Sequence, residues 1–235
     1  VNSFTFDGRS SADFGLYISK KNIYSAPARD MQLISVPGRN GDVLIDNGRY
    51  ENVDVLYTIG TADIKSKIKE IKTWLCRPGY FDLTDTYQPE YVRKACFNSS
   101  LDVEELLNNV GTAAVRFSCK PFMYLRDSFT PIELTSATTV VNPEAFESLP
   151  IIKLEGSGNL SFYINGKAYT VNGVEESVVI DSELMTAYSD DEFFGGLMNG
   201  SLSFTRFPVL EPGDNLIRFT SNVTKLSITP RFRTL

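Results

Sequence analysis

The side chains best suited to chemistry in this 235-residue sequence are carboxylates. Asp181 and Glu183 stand two apart after the apolar run Val178-Val179-Ile180, and Asp190, Asp191 and Glu192 follow close behind. Residues two apart share one face of a regular strand, so Asp181 and Glu183 could supply half of a glycosidase pair or oxygen ligands for calcium. No second carboxylate set at a defined distance can be read from the sequence, and Ser189-Asp190-Asp191-Glu192 has the composition of a solvated loop. The chain contains no histidine, which removes Ser-His-Asp and Cys-His nucleophiles, HExxH zinc sites and the usual proton shuttles. Cys76, Cys96 and Cys119 form no CxxC pair. An odd number at wide spacing reads as reduced, packed thiols, not as a disulfide framework or a zinc site. The expectation is a protein that is not an enzyme and holds no metal or cofactor, with carboxylate-only hydrolysis dependent on Asp181 as a distant rival.

Charge narrows the partners. A net charge of -6 and a pI near 4.9 speak against gripping nucleic acid, which needs a basic face. Residues 64–72 (IKSKIKEIK) hold the densest basic patch, and such Lys spacing reads as the solvated side of a helix. No apolar run approaches the roughly 20 residues that span a bilayer, and the first residues lack signal-peptide features; assembly in a cytoplasm without membrane insertion is expected. Asn-x-Ser/Thr triplets at Asn98, Asn159, Asn199 and Asn222 carry little meaning in that setting.

The elements that must position these residues are mostly strands. Ser3-Phe4-Thr5-Phe6 alternates, Asp7-Gly8 marks a turn, and Phe14 to Ile18 resumes an apolar run. Gln32 to Val36 reads as a strand stopped by the dense turn signal Pro37-Gly38-Arg39-Asn40-Gly41-Asp42, after which Val43-Leu44-Ile45 is extended again. Val53, Val55, Tyr57 and Ile59 keep period two. Residues 61–75 change period: Ile64, Ile68, Ile71 and Leu75 fall on one helical face with Trp74 beside it, ended by Arg77-Pro78-Gly79. Strands follow at Tyr80–Leu83, Tyr91–Phe97 and 111–119, with a helical turn or two over 101–108. A shift to Thr, Ser and Pro over 127–149 places a boundary near residue 130. Beyond it the pattern is almost wholly β. Asn165-Gly166 signals a tight hairpin, Asn172-Gly173 a further turn, and strands are expected at 150–155, 160–164, 167–171, 177–181, 201–204, 216–219 and 225–229. Many short strands with turns between them predict a two-sheet sandwich.

A family resemblance emerges from these turns taken together. Phe6-Asp7-Gly8 with Ser11-Ala12-Asp13-Phe14-Gly15-Leu16, then Val36-Pro37-Gly38-Arg39-Asn40-Gly41-Asp42, resembles the opening of bacteriophage distal tail (Dit) proteins. The second half agrees: Asn142-Pro143, Ser148-Leu149-Pro150, Gly156-Ser157-Gly158, Asn165-Gly166, Asp181-Ser182-Glu183 with Tyr188, Phe207-Pro208-Val209-Leu210, Pro212-Gly213-Asp214-Asn215 and Pro230-Arg231-Phe232-Arg233. Each motif alone is mostly turn chemistry, but their shared order runs from residue 4 to residue 233.

The resemblance implies a mainly β fold in two domains. Residues 1–130 would form a belt domain, a mixed β-sheet or split barrel with one amphipathic helix, and residues 131–235 a galectin-like β-sandwich. It implies a virion structural protein at a siphophage tail tip, a homo-hexamer of one or two stacked rings. The ring would join tail tube and tape-measure proteins to a tail-associated lysin or receptor-binding protein, with DNA passing the lumen unbound. A closed ring needs one patch to complement a different patch on the next copy, and edge strands are the natural means. The expected ring interface is therefore the strands flanking Pro37 to Asp42 and the extended region from Asp46 to Tyr57, with Val36, Pro37, Gly38, Arg39, Asn40, Gly41, Asp42, Tyr50, Val53 and Val55 as its named residues. A galectin-like sandwich also raises glycan recognition as the alternative function. With Trp74 in the first domain, the candidate platforms are Tyr163, Tyr169, Tyr188 and the loop tip Phe193-Phe194, although fold alone does not establish such a role.

Overall fold

The computed structural model describes residues 1–22, 26–61, 67–98, 113–190 and 196–235. It is mainly β, and its contacts divide into two compact units, Val1–Met123 with Leu235, and Tyr124–Thr234. The 3-10 turn Arg126–Phe129, just after this division, is tied to the chain's end. Arg231 N donates to Ser128 O at 3.0 Å and Leu125 N to Phe232 O at 2.9 Å.

In the first unit, β1 (Phe4–Phe6) buries Phe4 and Phe6 on either side of Thr5. Asp7 (φ 51) and Gly8 (φ 75) form the left-handed pair that a two-residue hairpin needs, and β2 (Arg9–Ser10) returns antiparallel. Then come β3 (Leu16–Lys21), a separate pair β4 (Arg29–Ile34) and β5 (Val43–Tyr50), β6 (Val53–Thr61), helix α1 (Ile68–Leu75), β7 (Phe81–Asp85), β8 (Tyr91–Phe97) and β9 (Ala113–Leu125). The main sheet runs β2-β1-β7-β8-β9-β6-β3. Although β3 and β7 lie far apart in that order, Lys21 of β3 reaches Asp85 of β7 at 2.7 Å, so the sheet is curled into a half-barrel. Helix α1 packs on it through Ile71, Trp74 and Leu75. Trp74 Nε1 donates to Phe6 O at 2.8 Å, and its ring stacks on Phe14 at 4.6 Å between centroids. Of the expected helix 61–75, the second half is present; Ile64 and the helical turn expected over 101–108 lie outside the described residues.

The second unit is a sandwich. Its strands are β10 (Ile132–Leu134), β11 (Thr138–Asn142), β12 (Ile151–Gly156), β13 (Gly158–Ile164), β14 (Lys167–Val174), β15 (Ser177–Asp181), β16 (Thr186–Tyr188), β17 (Gly213–Phe219) and β18 (Val223–Thr229). One sheet runs β10-β18-β12-β15-β16 and the other β11-β17-β13-β14. Between them lie Leu154, Leu160, Phe162, Ile164, Val171, Val178, Ile180, Ile217, Leu226 and Ile228, all buried. Asn165 (φ 51) and Gly166 (φ 82) make the hairpin from β13 to β14. Two expectations change. Asn172-Gly173 does not end a strand: β14 absorbs it as a bulge, with Gly173 at φ 67 and its N–H on Asn159 Oδ1 at 3.2 Å. Residues 201–204 form no strand either. A 3-10 turn (Asn199–Ser201) leads to a single bridge from Leu202 to Val171, which covers the edge of β14.

Candidate functional site

The feature of the first unit that packing leaves unexplained is the hairpin β4–β5. The pair forms a two-stranded sheet of its own, with Leu33 opposite Leu44 and Ile34 opposite Val43. Cross-strand partners share a face, so Met31, Leu33 and Leu44 crowd one side while Ile34, Val43 and Ile45 crowd the other. Neither side is covered: Leu33 is 69% exposed, Leu44 56%, Met31 49%, Ile34 43%, Ile45 41% and Val36 39%. A lone two-stranded hairpin is marginal in water, and an apolar patch of this kind marks an interaction surface.

Polar groups stiffen its base. Arg29 grips Asp46 with three donor contacts of 2.8–3.1 Å, Gly48 N donates to Asp46 Oδ1 at 2.8 Å, and the Arg29 hydrogen bonds hold the Asp46 carboxyl below its ordinary range. Asn47 Nδ2 and Arg49 Nε donate to the two oxygens of Asp30 at 2.9 and 2.6 Å. At the tip, Pro37-Gly38 builds a type II turn, with Gly38 at φ 81 and Arg39 N on Val36 O at 3.1 Å.

The structure divides the residues predicted for the interface. Val36, Pro37, Gly38, Arg39, Asn40, Gly41 and Asp42 form the exposed tip. Tyr50 sits half-buried at the base, under the Arg29 guanidinium (4.9 Å) and against Phe122 (5.8 Å). Val53 and Val55 point into the core, 5% and 3% exposed, because β6 alternates inward at just those positions; they support the sheet and present no surface. Leu33, Leu44 and Ile45 lie on the flanking strands expected to join the interface without being named singly, and Met31 lies just before them. The available signal was apolar residues on successive positions in two paired strands, a pattern proper to a strand covered on both faces.

Asp181 and Glu183 are held in structural contacts. Asp181, 6% exposed, takes Arg231 Nη2 at 2.6 Å and Nη1 at 3.3 Å, and accepts from the backbone N–H of Glu183 and Leu184. Glu183 accepts from Tyr124 Oη at 3.0 Å and lies 3.7 Å from Arg231 Nη1. Burial, then the Glu183 charge, push the Tyr124 hydroxyl well above its ordinary value. One guanidinium thus faces both acids, which ties the Asp-Ser-Glu and Pro-Arg-Phe-Arg motifs into one buried knot. Asp190 pairs with Lys153 at 2.5 Å; Asp191, Glu192, Phe193 and Phe194 lie outside the described residues. Among the described residues no group of three or more His, Cys, Asp or Glu is arranged to hold a metal.

A second buried charge cluster closes the half-barrel of the first unit. Asp85 Oδ2 takes Lys21 Nζ and Tyr57 Oη, each at 2.7 Å, and Oδ1 accepts from Tyr87 N and Gln88 N. Nearby, a buried Nη1 of Arg93 has no hydrogen-bond partner beside a void of about 10 Å³, a space of one-water size. The three thiols are free, with Cys76 exposed and Cys119 buried; burial pushes the Cys119 thiol up to about 12.

No family model and no curated protein matches the sequence. Solved structures do match. The Dit protein of phage SPP1, described as a hub adsorption apparatus in phages infecting Gram-positive bacteria, superposes with a TM-score of 0.73 at 14% identity, covering 100% of both chains. The chain has the Dit fold. The phage P2 baseplate in its calcium-activated conformation matches with a TM-score of 0.55 at 8% identity over 97% of each chain. Its strontium counterpart gives 0.51 at the same identity and coverage. Full coverage of SPP1 Dit means that both units, and their order along the chain, are shared with it. Tyr163 and Tyr188 stay partly exposed on the sandwich, whereas Tyr169 is buried against Phe162.

Proposed function

We propose that this chain is the structural hub of a siphophage tail tip. It forms a hexameric ring that joins the tail tube and tape-measure end to a tail-associated lysin or receptor-binding apparatus. The reading rests on one observation, the uncovered apolar hairpin β4–β5, within a fold shared with SPP1 Dit. Its exposed apolar side chains amount to about three complete ones, so covering them on a neighbouring copy is worth roughly 4–9 kcal/mol per hairpin. A hairpin that seats on a different surface of the next copy makes a heterologous contact, and such contacts close into rings. The work of the protein is then geometric and involves no catalysis: it fixes the axis on which tube and tip dock, within a virion assembled in the host cytoplasm. Its net negative charge suits a lumen through which DNA passes without adhering.

Light scattering across a dilution series tests the reading. The expected mass is six or twelve times 26.2 kDa, and Leu33→Asp with Leu44→Asp, at exposed positions that leave the core intact, should return the monomer. A wild-type mass of one chain at every concentration, alone and with a tube-protein partner, overturns it.

A further inference from the structure

The outer face of the sheet β11-β17-β13-β14 is built unlike a surface that only meets water. Its inward rows, including Phe162, Ile164, Val171 and Ile217, are buried. Its outward rows carry Leu216 (37% exposed) and the half-buried Tyr163 beside a groove of about 470 Å³, lined by Tyr163, Gly166, Leu216, Arg218 and Phe219. The register sets Arg218 on one side of Tyr163 and Ala168 on the other. The small Ala168, with Gly166 beyond it, leaves a flank of the tyrosine ring open. Among the described residues Arg218 is in no ion pair, as Arg39 and Arg126 are not, and of these three it alone lines the groove. The Asp214 carboxylate points from the same face, but four residues along β17 is roughly 13 Å, with Leu216 between them.

We infer that this groove binds a saccharide unit bearing a carboxylate or a phosphate. A pyranose offers a C–H face that packs on an aromatic ring, and hydroxyls at its rim. An unpaired guanidinium offers a planar, two-point contact that a carboxylate or phosphate fits. Apolar floor with a few convergent polar groups is the usual make-up of a small-ligand site. A protein partner would need on the order of 800 Å² on this side, whereas here the apolar residues are broken up by Asp214, Arg218, Ser161 and Thr170. The site does not depend on the ring reading, and it differs from the Phe193-Phe194 tip.

Saturation-transfer NMR on the full-length protein tests it, with glucuronic acid and glucose 1-phosphate as probes and with glucose and inorganic phosphate as controls. Transfer is expected to the ring protons of both acidic sugars and, more weakly, of glucose. Arg218→Gln should weaken the acidic sugars about tenfold, the size of one charge-assisted hydrogen bond, and leave glucose unchanged. Tyr163→Ala should abolish transfer to all three, and Tyr163→Phe should retain it; unchanged circular dichroism shows that each variant folds. The inference is overturned by absence of transfer from wild-type protein, by transfer indifferent to both substitutions, or by inorganic phosphate displacing glucose 1-phosphate at equal concentration. The last result would make Arg218 an anion contact without a sugar site.

Discussion

The Lys21–Asp85 clasp gives the sharpest test of how the half-barrel holds its shape. Both side chains are almost fully buried, 4% and 7% exposed. Asp85→Ala would strand the Lys21 ammonium with Gln88 Oε1, at 3.2 Å, as its remaining hydrogen-bond acceptor. Breaking a buried pair from one side costs about 3–5 kcal/mol, and this case should fall in the upper half, since Tyr57 Oη and two backbone N–H groups also lose their acceptor. Lys21→Met leaves Asp85 with three donors, so it should cost roughly 2–3 kcal/mol, near the value of one charged hydrogen bond. The double variant should cost less than the sum, with a coupling of about 1–3 kcal/mol. Urea unfolding followed by fluorescence reads the first unit directly, because Trp74 is the single tryptophan and lies in that core. The pH dependence has a definite sign. Burial alone would raise the Asp85 value, but the hydrogen bonds from Lys21 and Tyr57 outweigh it and hold the carboxyl below its ordinary range. A group depressed on folding contributes stability that is complete above its unfolded value and is lost as pH falls through the folded one, here from about pH 4 downward. That acid limb should be weaker in Asp85→Asn. A cost under about 1 kcal/mol for Asp85→Ala, or strictly additive single variants, would refute the claim that this pair closes the barrel.

Two further outcomes follow from the buried groups. Arg231→Ala leaves the Asp181 carboxylate buried with backbone donors alone, and calorimetry should show the sandwich weakened by about 3–5 kcal/mol; a loss under 1 kcal/mol would mean that the knot is dispensable. With a thiol reagent at pH 8, Cys76 should react at once and Cys119 only after unfolding; rapid modification of all three thiols in native protein would contradict the burial.

Period and turn chemistry made most of the fold readable, because those signals are local. Val53, Val55, Tyr57 and Ile59 alternate in the sequence and in the core, and Asp7-Gly8 and Asn165-Gly166 each sit at a tight hairpin with both residues at positive φ. Gly173 misled because the same residue serves a turn and a bulge; which one it forms depends on the pairing of β13 with β14, and that is not local. Val53 and Val55 misled as interface residues for a related reason. The segment was marked as an edge, but its alternation already assigned those side chains to the inside. The flanking strands could be marked from sequence, but the exposure of Leu33 and Leu44 could not: a leucine in a strand reads as core until the structure shows that nothing lies over it. Asp181 shows the converse, since acids two apart suggested chemistry until Arg231, fifty positions later, closed on them.

Several second-half motifs that carry the family resemblance share one property in the structure. Asn142 Nδ2 bonds Phe146 O and Leu210 O; Asn215 binds Glu211 N, Glu211 O and Gly213 O; Asn165 donates to Asn215 and accepts from Leu216 N; Ser148 Oγ reaches Pro230 O. These are backbone latches, and none is displayed for a partner. The latches at Asn142, Ser148 and Asn215 tolerate few substitutes, because these side chains are buried and each unmet group costs about 1–3 kcal/mol. On the proposed ring the hairpin would have only to match the neighbouring copy of the same sequence. On that reading the specificity of the ring lies in residues such as Leu33 and Leu44, and exchanging the hairpin alone between two Dit-fold proteins should exchange which copies co-assemble. If hairpin-swapped chains still assembled with their original partners, the surface that selects neighbours would lie elsewhere on the first unit.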